Sequence, residues 1–245
     1  MEISEAYYTD CGGRDYNEDT CLTEKQPPYY IAVIADGLGG HGGGKEASGT
    51  ASETILDCFR LTGSITPDLL GQWFQTANEN VLERQTKECR MKTTLAVLCI
   101  NTEKQTAFWS HVGDSRIYHF ESGKYLSCTF DHSVSRMAVL AGEISADEIR
   151  FHPDRNKLLK AVGMNGEIKA EQGENIVLGN GRHAFLLCTD GFWEYITEEE
   201  MEADLKTSKA PEEWLEKMRQ RLNCRVHGKN DNHSAIAVFV GTGDK

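Results

Sequence analysis

Residues 29–41 read Tyr-Tyr-Ile-Ala-Val-Ile-Ala-Asp-Gly-Leu-Gly-Gly-His, seven apolar or aromatic residues that stop at an aspartate and a glycine-rich turn. An apolar run of this length, bounded by turn formers, reads as a buried strand. The pattern recurs along the chain. Thr106–Val112 leads into Gly113-Asp114, residues 184–189 lead into Asp190-Gly191, and residues 235–240 follow closely on Asp231. Residues 93–100, 115–120 and, after a turn at Gly123, a short stretch at Lys124–Cys128 read as further strands. Helices fall between and after them. Residues 44–60 repeat Ala47, Ala51, Ile55 and Phe59 at helical spacing, and residues 67–87 carry Leu70, Phe74, Ala77, Val81 and Leu82 on one side. Residues 133–140 read as helical. Ser145-x-x-Glu148 and Thr197-x-x-Glu200 have the form of capping boxes, and Pro211 suits the first turn of a helix carrying Trp214, Leu215, Met218 and Leu222. The strands cluster instead of alternating with helices. The expected class is therefore α+β, a sandwich of antiparallel sheets rather than a doubly wound parallel sheet.

The bulk of the chain narrows its partners. It has 245 residues, 39% hydrophobic and 26% charged, as a globular protein does. The net charge of −12 disfavours nonspecific binding to nucleic acid or anionic membranes. No apolar run approaches the roughly 20 residues that cross a bilayer. The start, Met-Glu-Ile-Ser-Glu-Ala, has neither the basic nor the apolar region of a signal peptide, so a cytoplasmic location is expected. None of the eight cysteines forms a Cys-x-x-Cys pair. Several lie in apolar runs, as Cys99 and Cys188 do, and read as reduced packing residues. No linker, repeat or low-complexity segment appears, and a single domain over 1–245 is the simplest account.

Four aspartates stand where apolar strands begin or end: Asp36, Asp114, Asp190 and Asp231. A further acidic cluster, Asn17-Glu18-Asp19, lies near the start. Carboxylates gathered at one rim of a sheet repel one another and lose hydration, so a cation should neutralise them. An oxygen-only set suits a hard ion such as Mg²⁺ or Mn²⁺. Two such ions can orient and acidify a water for attack on a phosphate ester. Asp36 can bridge two ions, with the Gly37 carbonyl as a further oxygen. Asp-Gly is also an ordinary turn, and taken alone both readings stand. Glu18 and Asp19 are adjacent and point to opposite faces of an extended chain, so one can ligate while the other holds a water. Arg14 can clamp phosphate oxygens. His41 can donate a proton to the leaving group or support the Asp36 loop. His111 and His132 read as hydrogen-bonded core or loop residues.

The order of these motifs resembles one family. Arg14-Asp15-Tyr16-Asn17-Glu18-Asp19, Ala35 to His41, Lys92-Thr93-Thr94, Val112-Gly113-Asp114-Ser115-Arg116, Asp131-His132-Ser133, His152-Pro153-x-Arg155-Asn156, Thr189-Asp190-Gly191 and Asp231-Asn232 follow in sequence. The chain resembles the metal-dependent protein phosphatases of the type-2C serine/threonine class (PPM), in their compact bacterial form, over nearly its whole length. The resemblance implies an αββα four-layer sandwich and hydrolysis of phosphoserine and phosphothreonine in signalling. It implies that Asp36 bridges two Mn²⁺ or Mg²⁺ ions, that Asp190 and Asp231 bind one, and that Glu18 with the Gly37 carbonyl binds the other. Asp19 then holds a metal-bound water, Arg14 contacts the substrate phosphate, and Asp114 with Asp190 matches the weaker third-metal site. Residues 133–155 match the mobile flap beside the site. The implied partners are phosphorylated proteins, including a Ser/Thr kinase or its substrates, and the chain is expected to act as a monomer. One departure is Leu38. The eukaryotic branch has histidine there, proposed as the general acid, and bacterial members commonly have methionine, so the proton donor is unassigned. Two rival readings are a regulatory module that keeps the fold without turnover and a hydrolase of small phosphate esters.

Overall fold

The computed structural model describes residues 1–39, 43–179 and 181–241. Thirteen strands and six α-helices form among them. One sheet orders β1 (Glu2–Asp10), β13 (His233–Gly241), β12 (His183–Cys188), β8 (Arg116–Glu121) and β9 (Lys124–Cys128). The other orders β10 (Glu171–Gln172), β7 (Thr106–Val112), β6 (Leu95–Asn101), β3 (Tyr29–Ala35) and β2 (Thr20–Gln26), with β11 (Ile176–Val177) also on β7. Every pairing in both is antiparallel.

The apolar run at residues 29–35 shows why two sheets face each other. Successive side chains of a strand point to opposite faces. Tyr30, Ala32 and Ile34 point inward, onto Ile236 and Val238 of β13 and Phe185 and Leu187 of β12. Ile31, Val33 and Ala35 point outward, onto α1 (Gly43–Arg60) and α2 (Pro67–Arg84) through Ala47, Ala51, Ile55, Phe59 and Phe74. The strand is covered on both faces, so neither face can be polar. The first sheet is covered in the same way. Leu186, Ala235 and Ala237 face Met201 and Leu205 of α5 (Glu198–Lys206) and Trp214, Met218 and Leu222 of α6 (Pro211–Arg225). The layers are α, β, β, α, as expected.

Most element limits follow local chemistry. Ser133 caps α3 (Val134–Leu140) by accepting from the Arg136 amide. Thr197 and Glu200 make a complete capping box on α5, and Pro211 opens α6. Only half of the box at Ser145 forms: its N–H and its hydroxyl both donate to Glu148 Oε2, and just a five-residue 3₁₀ turn follows at Asp147–Phe151. The expected strand at 93–100 is broken at Thr94. Lys92–Thr93, β5, pairs instead with β4 (Gly37–Leu38), which bends the chain at the sandwich rim. Strands β1 and β2 went unread because charged residues, Glu2, Glu5, Glu24 and Lys25 among them, interrupt their apolar positions.

Residues 133–155 leave the sandwich and return to it through a closed neck. Val134 N donates to the Lys157 carbonyl and Leu159 N to that of His132, while Arg150 and Arg155 pair with Glu198 and Glu194. The excursion exposes Met137, Leu140 and Phe151.

Candidate metal centre

The ends of β3, β7 and β12 and the start of β13 share one rim. In register, Cys188 of β12 lies opposite Ala235 of β13, so Asp190 and Asp231 arrive side by side. Ala35 of β3 precedes Asp36, and Val112 of β7 precedes Asp114. A cavity of about 450 Å³ opens there, with Asp36, Asp114, Asp190, Asp231 and Glu18 in its wall. Residues 14–16, the Gly37–Gly39 loop, Asn156, Leu158 and Asn232 complete the lining.

The loops are held by backbone close approach. A Cβ on Gly37 would lie 2.1 Å from the Gly44 carbonyl oxygen and 2.7 Å from that of Glu18. Only glycine fits between the start of α1 and the acidic strand entry. Gly113 has φ +102°, and a Cβ there would meet the Thr94 side chain at 2.7 Å. The Thr94 hydroxyl accepts from the Asp36 amide at 2.9 Å and pairs with the Ser115 hydroxyl at 2.6 Å, linking the Asp36 and Asp114 loops.

Glu18 and Asp19 do diverge. Glu18 Oε1 accepts from Gly44 N–H at the first turn of α1, 3.1 Å away, where the helix dipole favours an anion. Asp19 turns the other way, into the sandwich, and Oδ2 accepts from Thr189 and Ser234. Asp231 Oδ2 accepts from Arg14 at 2.8 Å. The motifs gave no role to several neighbours: Thr94, Ser115, Thr189, Asn156 and Glu194, whose carboxylate adds to the acidic field at Asp190, and Ser234 and Leu158 were not singled out at all. Hydroxyls in or beside strands carry no pattern that separates them from packing residues. Gly40 and His41 lie outside the described residues.

Electrostatically the rim is strained. Burial pushes the Asp190 carboxyl up to about 7, reinforced by Glu194, Asp231 and Asp19. Burial, joined by repulsion from Asp231, lifts Asp19 to about 7 against the pull of the Ser234 and Thr189 hydroxyls. Asp36 is raised well above the carboxylate range by burial and then by Asp19, Asp190, Asp114 and Asp231. Asp114 is raised in the same way by burial and Asp190. Asp19 Oδ1 and Asp190 Oδ1 are buried without a hydrogen-bond partner among the described residues. Orphaned oxygens and carboxylates that cannot all ionise together fit a hard divalent cation.

A second cluster sits behind the Asp114 loop. Ligand atoms of His111, His132 and Glu171 lie within 4.8 Å of one another. The rings stack at 4.8 Å, and His111 Nε2–H donates to the Phe130 carbonyl at 2.7 Å. His132 Nδ1 accepts from Gly113 N–H at 3.1 Å, which leaves its Nε2 protonated and 3.3 Å from Glu171. His111 Nδ1 and His132 Nε2 have no hydrogen-bond partner among the described residues, and the stacked rings link the Phe130 carbonyl to the Gly113 amide of the Asp114 loop.

Comparison with known proteins agrees with this arrangement. The family model described as "Protein phosphatase 2C" matches residues 13–230. The serine/threonine phosphatase stp of Listeria innocua is 30% identical over 234 residues, covering 92% of this chain and 90% of that protein. Protein phosphatase PhpP of Streptococcus pneumoniae is 31% identical over 219 residues, covering 86% of each. The solved S. agalactiae serine/threonine phosphatase superposes with a TM-score of 0.87 at 23% identity, covering 98% of this chain and 100% of that one, a likeness of fold. The family depends on Mn²⁺ or Mg²⁺. A match over most of the length, in a chain whose acidic residues meet at one rim, leaves a single assignment: this chain belongs to the protein phosphatase 2C family.

Proposed function

We propose that the acidic rim hydrolyses phosphoserine and phosphothreonine side chains of proteins with two divalent ions bound at Asp36. The chain is a protein serine/threonine phosphatase that takes phosphoprotein substrates. The observation that carries the site is the convergence of Asp36, Asp114, Asp190, Asp231 and Glu18 on one cavity from five separate segments.

In this reading Asp36 would serve both ions, Asp190 and Asp231 one of them, and Glu18 with the Gly37 carbonyl the other. Asp114 and Asp190 supply a third, weaker site. Bound there, the ions supply Lewis acidity and an acidified water as nucleophile. Arg14 sits at the mouth, 57% exposed, with its guanidinium on Asp231, and can turn part of its fork to substrate phosphate oxygens. Asp19 lies behind the wall with one oxygen free to accept from a water. Hydrolysis replaces the phosphorus–oxygen bond to the serine or threonine by one to a water oxygen, and a proton from that water ends on the released hydroxyl. The excursion at 133–155, a flap with exposed Met137, Leu140 and Phe151 beside the mouth, meets the polypeptide around the phosphorylated residue. The cavity is open and the chain carries −12, so a Ser/Thr kinase or its cytoplasmic substrates suit it better than nucleic acid. No helix among the described residues is long and apolar enough to cross a membrane. We propose that the protein acts as a monomer, with 1–245 as one catalytic domain.

The test compares kcat/KM for a phosphothreonine peptide with that for a small aryl phosphate, both with Mn²⁺. This reading expects the peptide to be preferred. Preference for the small ester would assign the site to metabolites instead.

A further inference from the structure

Asp19 is held by two hydroxyls, those of Ser234 and Thr189, to which the motifs gave no role. Its side chain is 1% exposed. Oδ2 accepts from Ser234 Oγ at 2.6 Å and from Thr189 Oγ1 at 3.0 Å, while Oδ1 has no partner among the described residues. We propose that Ser234 and Thr189 are positioning residues for Asp19: their two hydroxyls grip one carboxylate oxygen and leave the other for the metal rim, with Thr9 and Asn17 packed behind Ser234. This inference rests on the functional reading above.

Asp19 N–H donates to Asn17 Oδ1 at 3.0 Å, which fixes the amide so that Nδ2 faces Thr9 Oγ1 at 2.7 Å. An amide nitrogen only donates and an ionised carboxylate only accepts. Each hydroxyl between them has one proton to give. Thr9 Oγ1 accepts from Asn17 and faces the Ser234 hydroxyl as a second acceptor, 2.8 Å away, while the shorter contact of that hydroxyl, at 2.6 Å, is its donation to the Asp19 carboxylate. Thr189 works alongside: its Oγ1 accepts from Ser234 N–H at 3.1 Å and its proton goes to Asp19 Oδ2. Aligned donors in a buried site polarise one another.

The elements make this arrangement rigid. Thr9 on β1 is the register partner of Ser234 on β13, and Thr189 follows β12, the next strand of the same sheet. Asn17 and Asp19 enter β2 of the facing sheet. The clamp therefore crosses between sheets at the rim, and both donors meet one oxygen. Oδ1 is the oxygen left to accept from a water at the ions. Groups that orient a metal's surroundings in this way typically change affinity or activity 10–100-fold when removed.

The experiment measures Mn²⁺ affinity by titration calorimetry, and kcat and KM on a phosphothreonine peptide, for wild type, Ser234→Ala, Thr189→Val, Thr189→Ser and Asp190→Asn. Ser234→Ala and Thr189→Val should each lose about tenfold in kcat and in Mn²⁺ affinity with KM unchanged. Thr189→Ser, which keeps the hydroxyl, should restore both to near wild type. A fall in melting temperature with kcat and Mn²⁺ affinity within twofold of wild type would overturn the proposal, since the hydroxyls would then only stitch the sheets. Equal impairment in Thr189→Ser and Thr189→Val would overturn it too. If Ser234→Ala fails to fold, the Thr189 pair decides. Turnover in wild type that survives Asp190→Asn would instead sink the site assignment, while the affinities still report on the clamp.

Discussion

Arg14 Nη2 lies 2.8 Å from Oδ2 of Asp231, joining residues 217 positions apart across the mouth of the acidic cavity. The pair is open to solvent, with side chains 57% and 38% exposed, so it contributes under about 1 kcal/mol to folding. Its value is placement, since a guanidinium is held ready where a phosphate must sit. Arg14→Ala should leave the melting temperature within a few degrees of wild type and raise KM for a phosphothreonine peptide about tenfold or more. Thermal melts beside steady-state kinetics check this. An unchanged KM would remove Arg14 from substrate contact.

Asp114 is 4% exposed and pressed against Asp190, and burial with that repulsion raises its carboxyl well above the usual range. Asp114→Ala relieves repulsion at Asp190 and Asp36 and leaves both of those carboxylates and Asp231 in place. The variant should keep two tightly bound ions and need more Mn²⁺ for half-maximal turnover, by about tenfold. A Mn²⁺ dependence identical to wild type would show that Asp114 supports no third ion that matters.

The strained carboxylates also make stability depend on pH in a definite direction. Asp19 and Asp190 titrate at about 7 in the folded, metal-free chain, against about 4 unfolded. The folded state therefore binds protons that the unfolded chain has lost. Their contribution to stability is complete below the unfolded value and is lost as pH rises through about 7. His119 and His132, lowered to about 4 chiefly by burial, act oppositely, and their contribution is lost only as pH falls below about 6.5. Between about pH 8 and 6.5 the carboxylates dominate. In EDTA the melting temperature should rise as pH is lowered across that window, and Mn²⁺ should flatten the rise because it replaces the protons. Scanning calorimetry at several pH values tests it. A melting temperature in EDTA that falls over this window would contradict the electrostatic picture.

Arg116 explains the last residue of Val-Gly-Asp-Ser-Arg. It is 7% exposed, pairs through two nitrogens with Asp131 at 2.8 and 2.7 Å, and stacks 3.6 Å from the Trp193 ring. Trp193 Nε1 donates to the Asp114 carbonyl at 2.9 Å, so the pair braces the loop behind the third-ion position. Asp131→Ala strands a buried cation and should cost about 3–5 kcal/mol, a fall in melting temperature on the order of 10 °C. Replacing both partners together should cost much less. Equal loss in the single and double variants would show that the pair does not act as a unit.

How much was legible depended on whether a residue's role left a mark on its neighbours. Tyr29–Ala35 announced a doubly covered strand because both its faces had to be apolar, and Asp36, Asp190 and Asp231 were visible because each interrupts such a run beside a glycine or asparagine. Strand β1 was invisible, since its exposed face carries Glu2 and Ser4 and its pairing partner β13 lies more than 220 residues away. Thr94, Thr189 and Ser234 were invisible as site residues for another reason. A threonine or serine in a strand is equally at home packing, and only the fold reveals that these hydroxyls meet Asp36 and Asp19. The His111–His132 stack kept its reading as core hydrogen bonding, because the Gly113 amide fixes the tautomer.

The central claim is that the carboxylates at this rim run a metal-dependent phosphatase. Phosphate release from a phosphothreonine peptide, followed with Mn²⁺ and with EDTA for wild type and Asp190→Asn, tests it most directly. The account predicts release by wild type with Mn²⁺, none in EDTA, and none from a folded Asp190→Asn with Mn²⁺. Release that persists in EDTA, or undiminished turnover in Asp190→Asn, would contradict it.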